Sequence, residues 1–242
     1  MVSLVVDSGN TRVKLGLFKE GQLLKSASCA FGSARNLMAQ WIAELAVEKV
    51  VVSDVNGELE RAGLDFGAHV EILFLDKDTD LPFVNLYESK ATLGADRKAL
   101  VAGALHFFEN EACLIIDAGT CVTYDVVNAS QEYLGGNITP GLHMRLRAMH
   151  EFTGKLPLPN FELPAQVLGK NTQECLTSGA YYGLIGEINF LVAHYQQNWP
   201  QIRVLLTGGD AELLAMSLKT SIFVNEHLLL YGLNKILTHH AE

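Results

Sequence analysis

The sequence has little of several features that would place it in other classes of protein. Only four of its 242 residues are cysteine, and they are widely spaced, at Cys29, Cys113, Cys121 and Cys175. This spacing gives neither a disulfide framework nor a metal finger, so we expect a reduced, cytoplasmic protein. No apolar run reaches the length of about 18 residues that a membrane span needs, and no basic leader precedes an apolar segment. We therefore expect no membrane partner.

Positive charge is also scarce. The chain carries 18 Lys and Arg residues against 27 Asp and Glu residues, a formal net charge of -9. This excess of negative charge argues against nucleic acid as a partner, although backbone amides and Mg²⁺ can still bind a nucleotide locally. The sequence lacks a Gly-x-x-x-x-Gly-Lys-[Ser/Thr] segment, so we do not expect a P-loop kinase. Its eight histidines are scattered, and we interpret them as structural or exposed residues.

What is present is a strand–turn–strand pattern that occurs twice. The first turn is Asp7-Ser8-Gly9-Asn10-Thr11 and the second is Asp117-Ala118-Gly119-Thr120, and each follows an aliphatic run. A second alternating strand follows each turn, over residues 12–18 in one case and 121–126 in the other. A repeat of this kind indicates two related domains.

The spacing of apolar residues predicts a three-stranded meander at the start of each half, followed by helices and further strands. The predicted strands are 2–7, 12–18, 22–28, 49–53, 71–75, 113–117, 121–127, 133–139 and 202–206. The predicted helices are 34–47, 96–108, 142–150, 172–195, 211–217 and 229–239, with a loop or hairpin at 76–94 and a loop at 153–169. The order β-β-β-α-β-α occurs in both halves with variations, and it resembles that of the ribonuclease-H-like unit of the actin, sugar-kinase and Hsp70 superfamily. We therefore predict an α/β fold with two ribonuclease-H-like domains of actin-like ATPase type, 1–111 and 112–242, each with a mixed central sheet flanked by helices.

Each of the two turns has a functional and an ordinary interpretation. A tight turn with exposed N–H groups and a hydroxyl can hold phosphate, and its aspartate can orient a cation. In the first turn Gly9 would permit the tight bend, Thr11 would meet phosphate, and Lys14 either points to the nucleotide or is simply exposed. Alone, Asp-Ser-Gly-Asn is also a common hairpin turn. Two copies at matching places in a repeat favour a nucleotide triphosphate held from both sides.

Two further segments combine glycine with polar residues. In Thr207-Gly208-Gly209-Asp210-Ala211 a buried strand ends and a helix begins, which either suits the adenosine of a nucleotide or is an ordinary glycine-rich turn. In Leu93-Gly94-Ala95-Asp96-Arg97 a helix begins near Asp96. This aspartate either only caps the helix or acts as a base, with Arg97 holding an anionic or polar substrate. The residues alone do not separate these alternatives.

Taken together, these segments resemble those of the type III pantothenate kinase family. The matching stretches span nearly the whole chain and are, in order, Asp7 to Thr11 with Lys14, Leu93 to Arg97, Asp117 to Thr120 with Thr123 and Asp125, Gly135 to Gly141, Thr153 to Pro157, Gly169 to Thr172, and Thr207 to Ala211. The Gly-x-Asp-Arg and Gly-Gly-x-Ile-x-Pro-Gly elements separate this family from other members of the actin, sugar-kinase and Hsp70 superfamily. One departure is small, because Cys121 stands where a similarly sized alanine is usual.

The resemblance implies a role for each matching residue. Asp96 resembles the catalytic base that takes the proton from the primary hydroxyl of pantothenate. The pantothenate-binding residues would be Tyr87, Gly94, Ala95, Asp96 and Arg97, with Thr172 delivered from the partner subunit of a homodimer. The ATP-binding residues would be Asp7, Ser8, Gly9, Asn10, Thr11, Arg12, Val13, Lys14, Thr120, Gly208 and Gly209. Asp117 resembles the ligand of the monovalent cation, K⁺ or NH₄⁺, that the family uses in addition to the Mg²⁺ that accompanies ATP.

The implied activity is ATP-dependent phosphorylation of pantothenate to 4'-phosphopantothenate, the first step of coenzyme A biosynthesis. Two alternatives stay open, a non-catalytic regulatory paralogue and another small-molecule kinase of the same superfamily. A regulator would be expected to lose its acidic site residues, so the presence of Asp7, Asp96 and Asp117 favours the enzyme.

Three glycines, Gly179, Gly183 and Gly186, fall on the predicted long helix. The first two lie one turn apart on one face, so another helix could approach closely. That helix would belong either to the same monomer or to the partner subunit of the expected homodimer.

Overall fold

The structure is a computed structural model of the chain and describes residues 1–9, 12–54, 57–61 and 63–240. Its strands are β1 (Val2–Ser8), β2 (Val13–Lys19), β3 (Gln22–Cys29), β4 (Lys49–Asp54), β5 (Glu71–Phe74), β6 (Val84–Asn85), β7 (Cys113–Ala118), β8 (Cys121–Val127), β9 (Glu132–Pro140), β10 (Arg203–Thr207) and β11 (Phe223–Val224). Its α-helices are α1 (Phe31–Leu45), α2 (Glu58–Arg61), α3 (Ala95–Phe107), α4 (Leu142–Glu151), α5 (Thr172–Asn198), α6 (Ala211–Ala215) and α7 (Leu228–His240).

By its packing, the chain forms two compact units. The first contains Met1–Glu111, Val127–Leu134 and the segment from His227 onward, and the second contains Ala112–Val126 and Gly135–Glu226. The chain passes from the first unit to the second after residue 111, where the sequence analysis places its domain boundary. The tip of the β8–β9 hairpin and helix α7 pack with the first unit, whereas the sequence-based division assigns them to the second.

The first unit is built on a five-stranded sheet with the order β3-β2-β1-β4-β5. Strands β1, β2 and β3 are antiparallel neighbours, whereas β4 is parallel to β1 and β5 is parallel to β4, so the sheet is mixed. Alternate apolar residues of these strands pack against Met38 and Trp41 of α1. The predicted meander and the helix after it are therefore confirmed.

Helix α7 joins the first unit through an unusually close approach to α3. A Cβ atom at Gly232 would overlap with the carbonyl group of Ala99, and one at Gly103 would overlap with the carbonyl oxygen of Leu228. Any larger residue at either position would force the two helix backbones apart. A buried hydrogen bond of 2.7 Å from Ser3 Oγ to Asn234 Oδ1 also ties α7 to β1.

The second unit contains most of a six-stranded sheet with the order β11-β10-β7-β8-β9-β6. Strand β10 is parallel to β7, and their register pairs Thr207 with Asp117. Leu184 and Ile188 of α5 belong to the hydrophobic core of this unit, together with Leu114 and Ile116 of β7. The pairing of β10 with β7 brings the ends of two strands that carry predicted site residues side by side.

Most predicted elements are confirmed in type, and their boundaries differ by a few residues. Helix α1 begins at Phe31 rather than at residue 34, because Phe31 packs on the apolar core and this contact outweighs the low helix propensity of Gly32 and Ser33. The elements α2, β6 and β11 were not predicted, since segments of four, two and two residues show no period. Over the described ranges, no helix is both long enough and apolar enough to cross a membrane.

Candidate active site

The first predicted phosphate turn connects β1 to β2 in the first unit. Asp7 lies near the end of β1 and is only 7% exposed. It lies directly opposite Lys14 in the antiparallel pairing, so both side chains are on one face of the sheet. Val13 is fully buried, which leaves its backbone as the part that could meet a ligand. Asn10 and Thr11, also predicted to bind ATP, lie outside the described residues.

Polar side chains next to this turn bind neighbouring strands, Ser8 to β4 and Arg12 to β3. Ser8 is fully buried, and its Oγ donates a 2.7 Å hydrogen bond to Oδ1 of Asp54. The exposed Arg12, predicted to bind ATP, donates from its guanidinium to Oγ and to the carbonyl oxygen of Ser28, at 2.8 Å in each case.

Among the residues that the structure describes, none requires glycine at position 9 of the first turn. The N–H group of Gly9 donates to the carbonyl oxygen of Arg12 at 3.2 Å. A Cβ atom at Gly9 would lie 3.5 Å from that oxygen, an ordinary contact, and its φ angle is outside the left-handed region. The described residues therefore give no steric reason for glycine at this position, while Asn10 and Thr11 of the bend lie outside the described residues. Space for a ligand close to the backbone is a different reason for a glycine here.

The second predicted phosphate turn connects β7 to β8 in the second unit. Asp117 is half-buried near the end of β7, and Thr120 is exposed. The N–H group of Gly119 donates to the carbonyl oxygen of Cys121 at 3.0 Å. A Cβ atom at Gly119 would lie 3.6 Å from that oxygen, so glycine is not sterically required here either.

Two glycines from other segments touch the second turn through their backbones. A Cβ atom at Gly141 would overlap with the carbonyl oxygen of Gly119 and would lie 2.6 Å from that of Thr120. The Gly141 N–H group donates to the Thr120 carbonyl oxygen at 3.1 Å. On the other side, Gly208 approaches Asp117 so closely that its Cβ atom would lie 2.5 Å from Oδ1. The second turn is therefore held between two backbone segments that leave no room for side chains.

The segment after β10 is the third predicted nucleotide-binding element. Gly208 has a φ angle of 95° and lies against the carbonyl group of Ala118. The N–H group of Asp210 donates to that same carbonyl oxygen at 3.0 Å. Gly209 is exposed, and a Cβ atom there would have no described atom within 4 Å. Within the second unit, the structure thus brings Gly208 and Asp117 together and leaves open space beside Gly209.

The predicted base, Asp96, lies in the first turn of α3 and is half-buried. Its Oδ1 accepts a 2.8 Å hydrogen bond from the N–H group of Arg97. The N-cap position is Gly94, with no side-chain hydrogen bond at the cap, so the placement of Asp96 at the helix cap is corrected. A Cβ atom at Gly94 would overlap with Oδ1 of Asp96. Glycine at this position therefore leaves room for the carboxylate.

The side chain of Arg97 is buried beside two tyrosine rings. It is 6% exposed, and its Cζ lies 5.6 Å from the ring centroid of Tyr87 and 6.0 Å from that of Tyr133. Both distances are within cation–π range. Tyr133 is fully buried, with the ring of Phe83 6.2 Å away. The sequence analysis named Tyr87 but missed Tyr133, because nothing in the pattern of β9 links it to a helix that begins almost 40 residues earlier.

Lys98, the residue after Arg97, was also missed. It is 3% exposed, and its Nζ donates a 2.7 Å hydrogen bond to the carbonyl oxygen of Asp76. Burial lowers the pKa of Lys98, although the carboxylates of Asp76 and Asp78 raise it in part. This contact attaches the loop after β5 to the start of α3. A lysine among the buried positions of a helix was the signal that could have identified it.

Thr172 is the exposed first residue of α5, in the second unit. The helix is capped by Asn171, whose Oδ1 accepts from the N–H group of Glu174 at 3.0 Å. A cavity of about 420 Å³ lies beside these first turns, and Lys170 and Gln173 line it with residues of the preceding loop. Thr172 itself is not part of that lining. The other predicted pantothenate-binding residues, 87 and 94–97, belong to the first unit.

Two mixed sheets flanked by helices, each carrying a strand–turn–strand motif, define a protein of the actin-like ATPase class. Solved structures agree with this fold. A ROK family glucokinase from Streptomyces griseus, in complex with glucose and AMPPNP, matches with a TM-score of 0.53 and 10% identity over 99% of each chain. A Campylobacter jejuni protein described as a Baf family transcriptional activator matches with a TM-score of 0.64 and 21% identity over 98% of each chain.

Within this class, the sequence assigns the chain to one family. The model of the type III pantothenate kinase family matches residues 3–194. The type III pantothenate kinase of Flavobacterium psychrophilum is 38% identical over 237 residues, which cover 96% of this chain and 97% of the relative. The protein belongs to the type III pantothenate kinase family, as its sequence motifs predict.

Proposed function

We propose that the protein phosphorylates pantothenate with ATP and forms 4'-phosphopantothenate, the first step of coenzyme A biosynthesis. Membership of the type III pantothenate kinase family over nearly the whole chain supports this activity. At the site, one observation carries the proposal. At the start of α3, Asp96 is followed by a buried arginine that lies close to two tyrosine rings. A carboxylate beside a fixed cation suits the deprotonation and binding of a second, anionic substrate.

Asp96 is proposed as the general base. In the transfer, the primary hydroxyl oxygen of pantothenate bonds to the γ-phosphorus of ATP, the bond from that phosphorus to ADP breaks, and the hydroxyl proton passes to Asp96. The hydrogen bond from the Arg97 N–H group orients the Asp96 carboxylate. Phosphoryl transfer depends mostly on positioning and charge neutralisation, and a well-placed base adds about 10²–10⁴ in rate.

Arg97 and Tyr87 are proposed to bind pantothenate. The guanidinium group stays charged at any physiological pH and can bind a carboxylate through two parallel hydrogen bonds. The nearby rings of Tyr87 and Tyr133 limit the directions in which it can point. This arrangement supports recognition of the pantothenate carboxylate or another polar group of the substrate.

The two turns are proposed to bind the phosphates of ATP. Gly9 and Gly119 each have room for a Cβ atom within the described protein, so close approach of a ligand to the backbone N–H groups explains these glycines better than the fold does. Lys14, opposite Asp7, supplies a positive charge on the same face. The open space beside Gly209 suits the adenosine moiety.

Two cations are part of the proposal. Asp7 would orient the Mg²⁺ that accompanies ATP, and this ion would neutralise charge on the transferred phosphoryl group. Asp117 would hold a monovalent cation, K⁺ or NH₄⁺. The atoms around Asp117 suit a large cation, because its carboxylate adjoins the backbone carbonyl oxygens of the turn, and such ions prefer oxygen ligands.

A homodimer is also proposed, with Thr172 contributing to the site of the partner subunit. Gly179, Gly183, Gly186 and Phe190 recur at intervals of four, three and four residues along α5, which places them on one face of the helix. A Cβ atom at Gly179 or Gly186 would have no described atom within 4 Å, and Phe190 is 68% exposed. These glycines therefore do not pack inside the described monomer, which supports the subunit-interface interpretation.

The cytoplasm is the proposed location. All four cysteines are free, two of them half-buried, one buried and one exposed. Free thiols are typical of a reducing compartment.

The deciding experiment is an assay of ATP-dependent phosphorylation of pantothenate by the purified protein and by Asp96→Asn. Asparagine can still accept the Arg97 N–H hydrogen bond but cannot take a proton. We expect turnover to fall by about 10²–10⁴-fold with melting temperature and ATP affinity unchanged. An inactive wild type that binds ATP would favour the regulatory alternative, and activity on a different alcohol would favour another kinase. Near-normal turnover of Asp96→Asn would assign the base elsewhere.

The cation is tested in the same assay with Asp117→Asn. Wild-type activity should be much higher in K⁺ or NH₄⁺ than in Na⁺, and the variant should lose both rate and cation preference. Equal wild-type activity in Na⁺ and K⁺ buffers would remove the monovalent site from the proposal without affecting the assignment of Asp96.

A further inference from the structure

A polar cluster inside the second unit is not part of the predicted site. Oε1 of Glu187, on α5, accepts hydrogen bonds from Tyr124 Oη and from Thr139 Oγ1, each at 2.7 Å. Its Oε2 accepts from the guanidinium group of Arg145, on α4. One carboxylate thus joins β8, β9, α4 and α5.

The charge of Glu187 is held by these partners. Burial acts to raise its pKa, but the hydrogen bonds from Thr139, Tyr124 and Arg145 outweigh burial and lower it. For Tyr124, burial and the adjacent Glu187 carboxylate both raise the pKa of the phenol well above its usual value, so Tyr124 remains a donor. The cluster is therefore an ionised carboxylate with three donors across the neutral pH range.

This cluster continues to the second phosphate turn. Arg145 Nε donates a 2.8 Å hydrogen bond to the carbonyl oxygen of Pro140, the residue after Thr139. The next residue, Gly141, donates from its N–H group to the carbonyl oxygen of Thr120 at 3.1 Å. Glu187 thereby holds Thr139 directly and Pro140 through Arg145. Together these hydrogen bonds hold residues 139–141, the segment that contacts the second turn.

Stability alone is a poor explanation for such a cluster. The side chains of Arg145 and Glu187 are 21% and 25% exposed, and a partly exposed ion pair of this kind adds little net stability, because its attraction is offset by lost side-chain freedom and by partial removal of the charges from water. The gain that such a network does provide is a single defined position for the backbone it holds. Here that backbone is 139–141, which lies against the carbonyl oxygens of Gly119 and Thr120 in the second turn.

We propose that Glu187 is a positioning residue for the second phosphate turn, acting through Arg145 and the 139–141 backbone on the sites of ATP and of the monovalent cation. The inference rests on the proposed function of this turn, and it adds residues that no motif of the sequence identifies. Loss of the Glu187 charge should make the position of the turn less defined. The affinities for ATP and the monovalent cation should therefore fall, while the affinity for pantothenate should stay unchanged.

The test compares Glu187→Gln with a matched control, Tyr195→Phe. Glutamine keeps the acceptor for Tyr124 and Thr139 but loses the ion pair with Arg145. Tyr195→Phe removes another hydrogen bond between α5 and β9, from Tyr195 Oη to Asn137 Oδ1, that does not reach Pro140. For Glu187→Gln we expect the KM for ATP and the activating K⁺ concentration to rise by about tenfold, the usual order for loss of a supporting partner. The KM for pantothenate should stay unchanged, and Tyr195→Phe should behave as wild type.

Calorimetric binding of a non-hydrolysable ATP analogue in K⁺ buffer separates this inference from the proposed function. If the wild type binds the analogue but does not phosphorylate pantothenate, the assigned reaction fails while the effect of Glu187→Gln on binding still tests the positioning role. All measurements are made well below the melting temperature of each variant. Unchanged analogue affinity, an equal effect of Tyr195→Phe, or a uniform loss of kcat with both KM values intact would overturn the proposal.

Discussion

The two strand–turn–strand motifs look alike in sequence but are supported in different ways. The first turn rests on side chains, because the buried Ser8 hydroxyl binds Asp54 and Arg12 binds Ser28. The second turn is enclosed by backbone, with Gly141 on one side and Gly208 on the other. A repeated motif can thus be recognised from its own residues, whereas its support comes from segments that differ between the two units.

This difference suggests where each turn tolerates change. A backbone contact without space for a Cβ atom cannot be relieved by a rotamer change, whereas a side-chain hydrogen bond can be lost without moving the chain. We therefore expect Gly141 and Gly208, which contact the second turn, to tolerate substitution far less well than Gly9 and Gly119, which lie within the turns.

The largest effect is expected for Gly208→Ala. The φ angle of 95° is unfavourable for alanine, and the new Cβ atom would overlap with the carbonyl group of Ala118. We expect a loss of about 3 kcal/mol or more in the free energy of unfolding. The drop should appear as a lower melting temperature in calorimetry. Gly209→Ala, where a Cβ atom meets nothing within 4 Å, is the control and should melt as the wild type does.

A second prediction concerns Gly9→Ala and Gly119→Ala, the matching substitutions within the two turns. Each new Cβ atom makes only ordinary contacts, at 3.5 Å and 3.6 Å, so stability should change by no more than about 0.5 kcal/mol. The methyl group would stand where a phosphate approaches the backbone. We therefore expect the KM for ATP to rise by at least about tenfold in both variants, the scale of 1.4 kcal/mol in binding. Marked destabilisation of either variant would show that its glycine serves the fold.

The strands, the helices and the family could be predicted because they depend on local patterns. Aliphatic runs ending in Asp7 and Asp117 define β1 and β7, and the apolar period of 96–108 defines α3, since each signal lies within one segment of chain. The family followed from short motifs that the structure leaves on strand ends and helix starts. The sequence analysis also named Asp96 and Arg97, but it placed the helix cap two residues late.

The residues that support the site could not be predicted in the same way. Tyr133 meets Arg97, Glu187 meets Arg145, and Lys98 meets the carbonyl group of Asp76 only after the chain has folded. No periodicity in one segment reports a partner in another. For the same reason the sequence did not reveal that α7 packs against α3, a contact that depends on glycines in both helices.

A moderate effect is expected for Ser8→Ala, which removes the side-chain support of the first turn. The buried hydroxyl donates to a carboxylate at 2.7 Å, and loss of a hydrogen bond to a charged group costs about 1–3 kcal/mol. Melting temperature should fall by roughly 2–4 °C for each kcal/mol lost. Ser28→Ala removes a hydrogen bond of the exposed Arg12 on the same sheet and should have little effect. An equal fall in both variants would contradict the assigned importance of burial.

The smallest effect is expected at Asp210, whose N–H group binds the second turn at the carbonyl oxygen of Ala118. Burial raises the pKa of this carboxyl, and nearby His143 opposes the shift only in part. An acid whose pKa is higher in the folded state than in the unfolded state contributes stability below its unfolded value of about 3.9, and that contribution is lost as the pH rises through the folded pKa.

Asp210 makes no side-chain hydrogen bond at the cap of α6, so Asp210→Asn removes the buried charge without removing a cap. The variant should melt slightly higher than the wild type at pH 7, and the difference should shrink as the pH is lowered toward 4. Glu212→Gln removes one charge from an exposed position of the same helix and should show no such trend. A difference for Asp210→Asn that stays constant with pH would mean that the charge of Asp210 is not the cause.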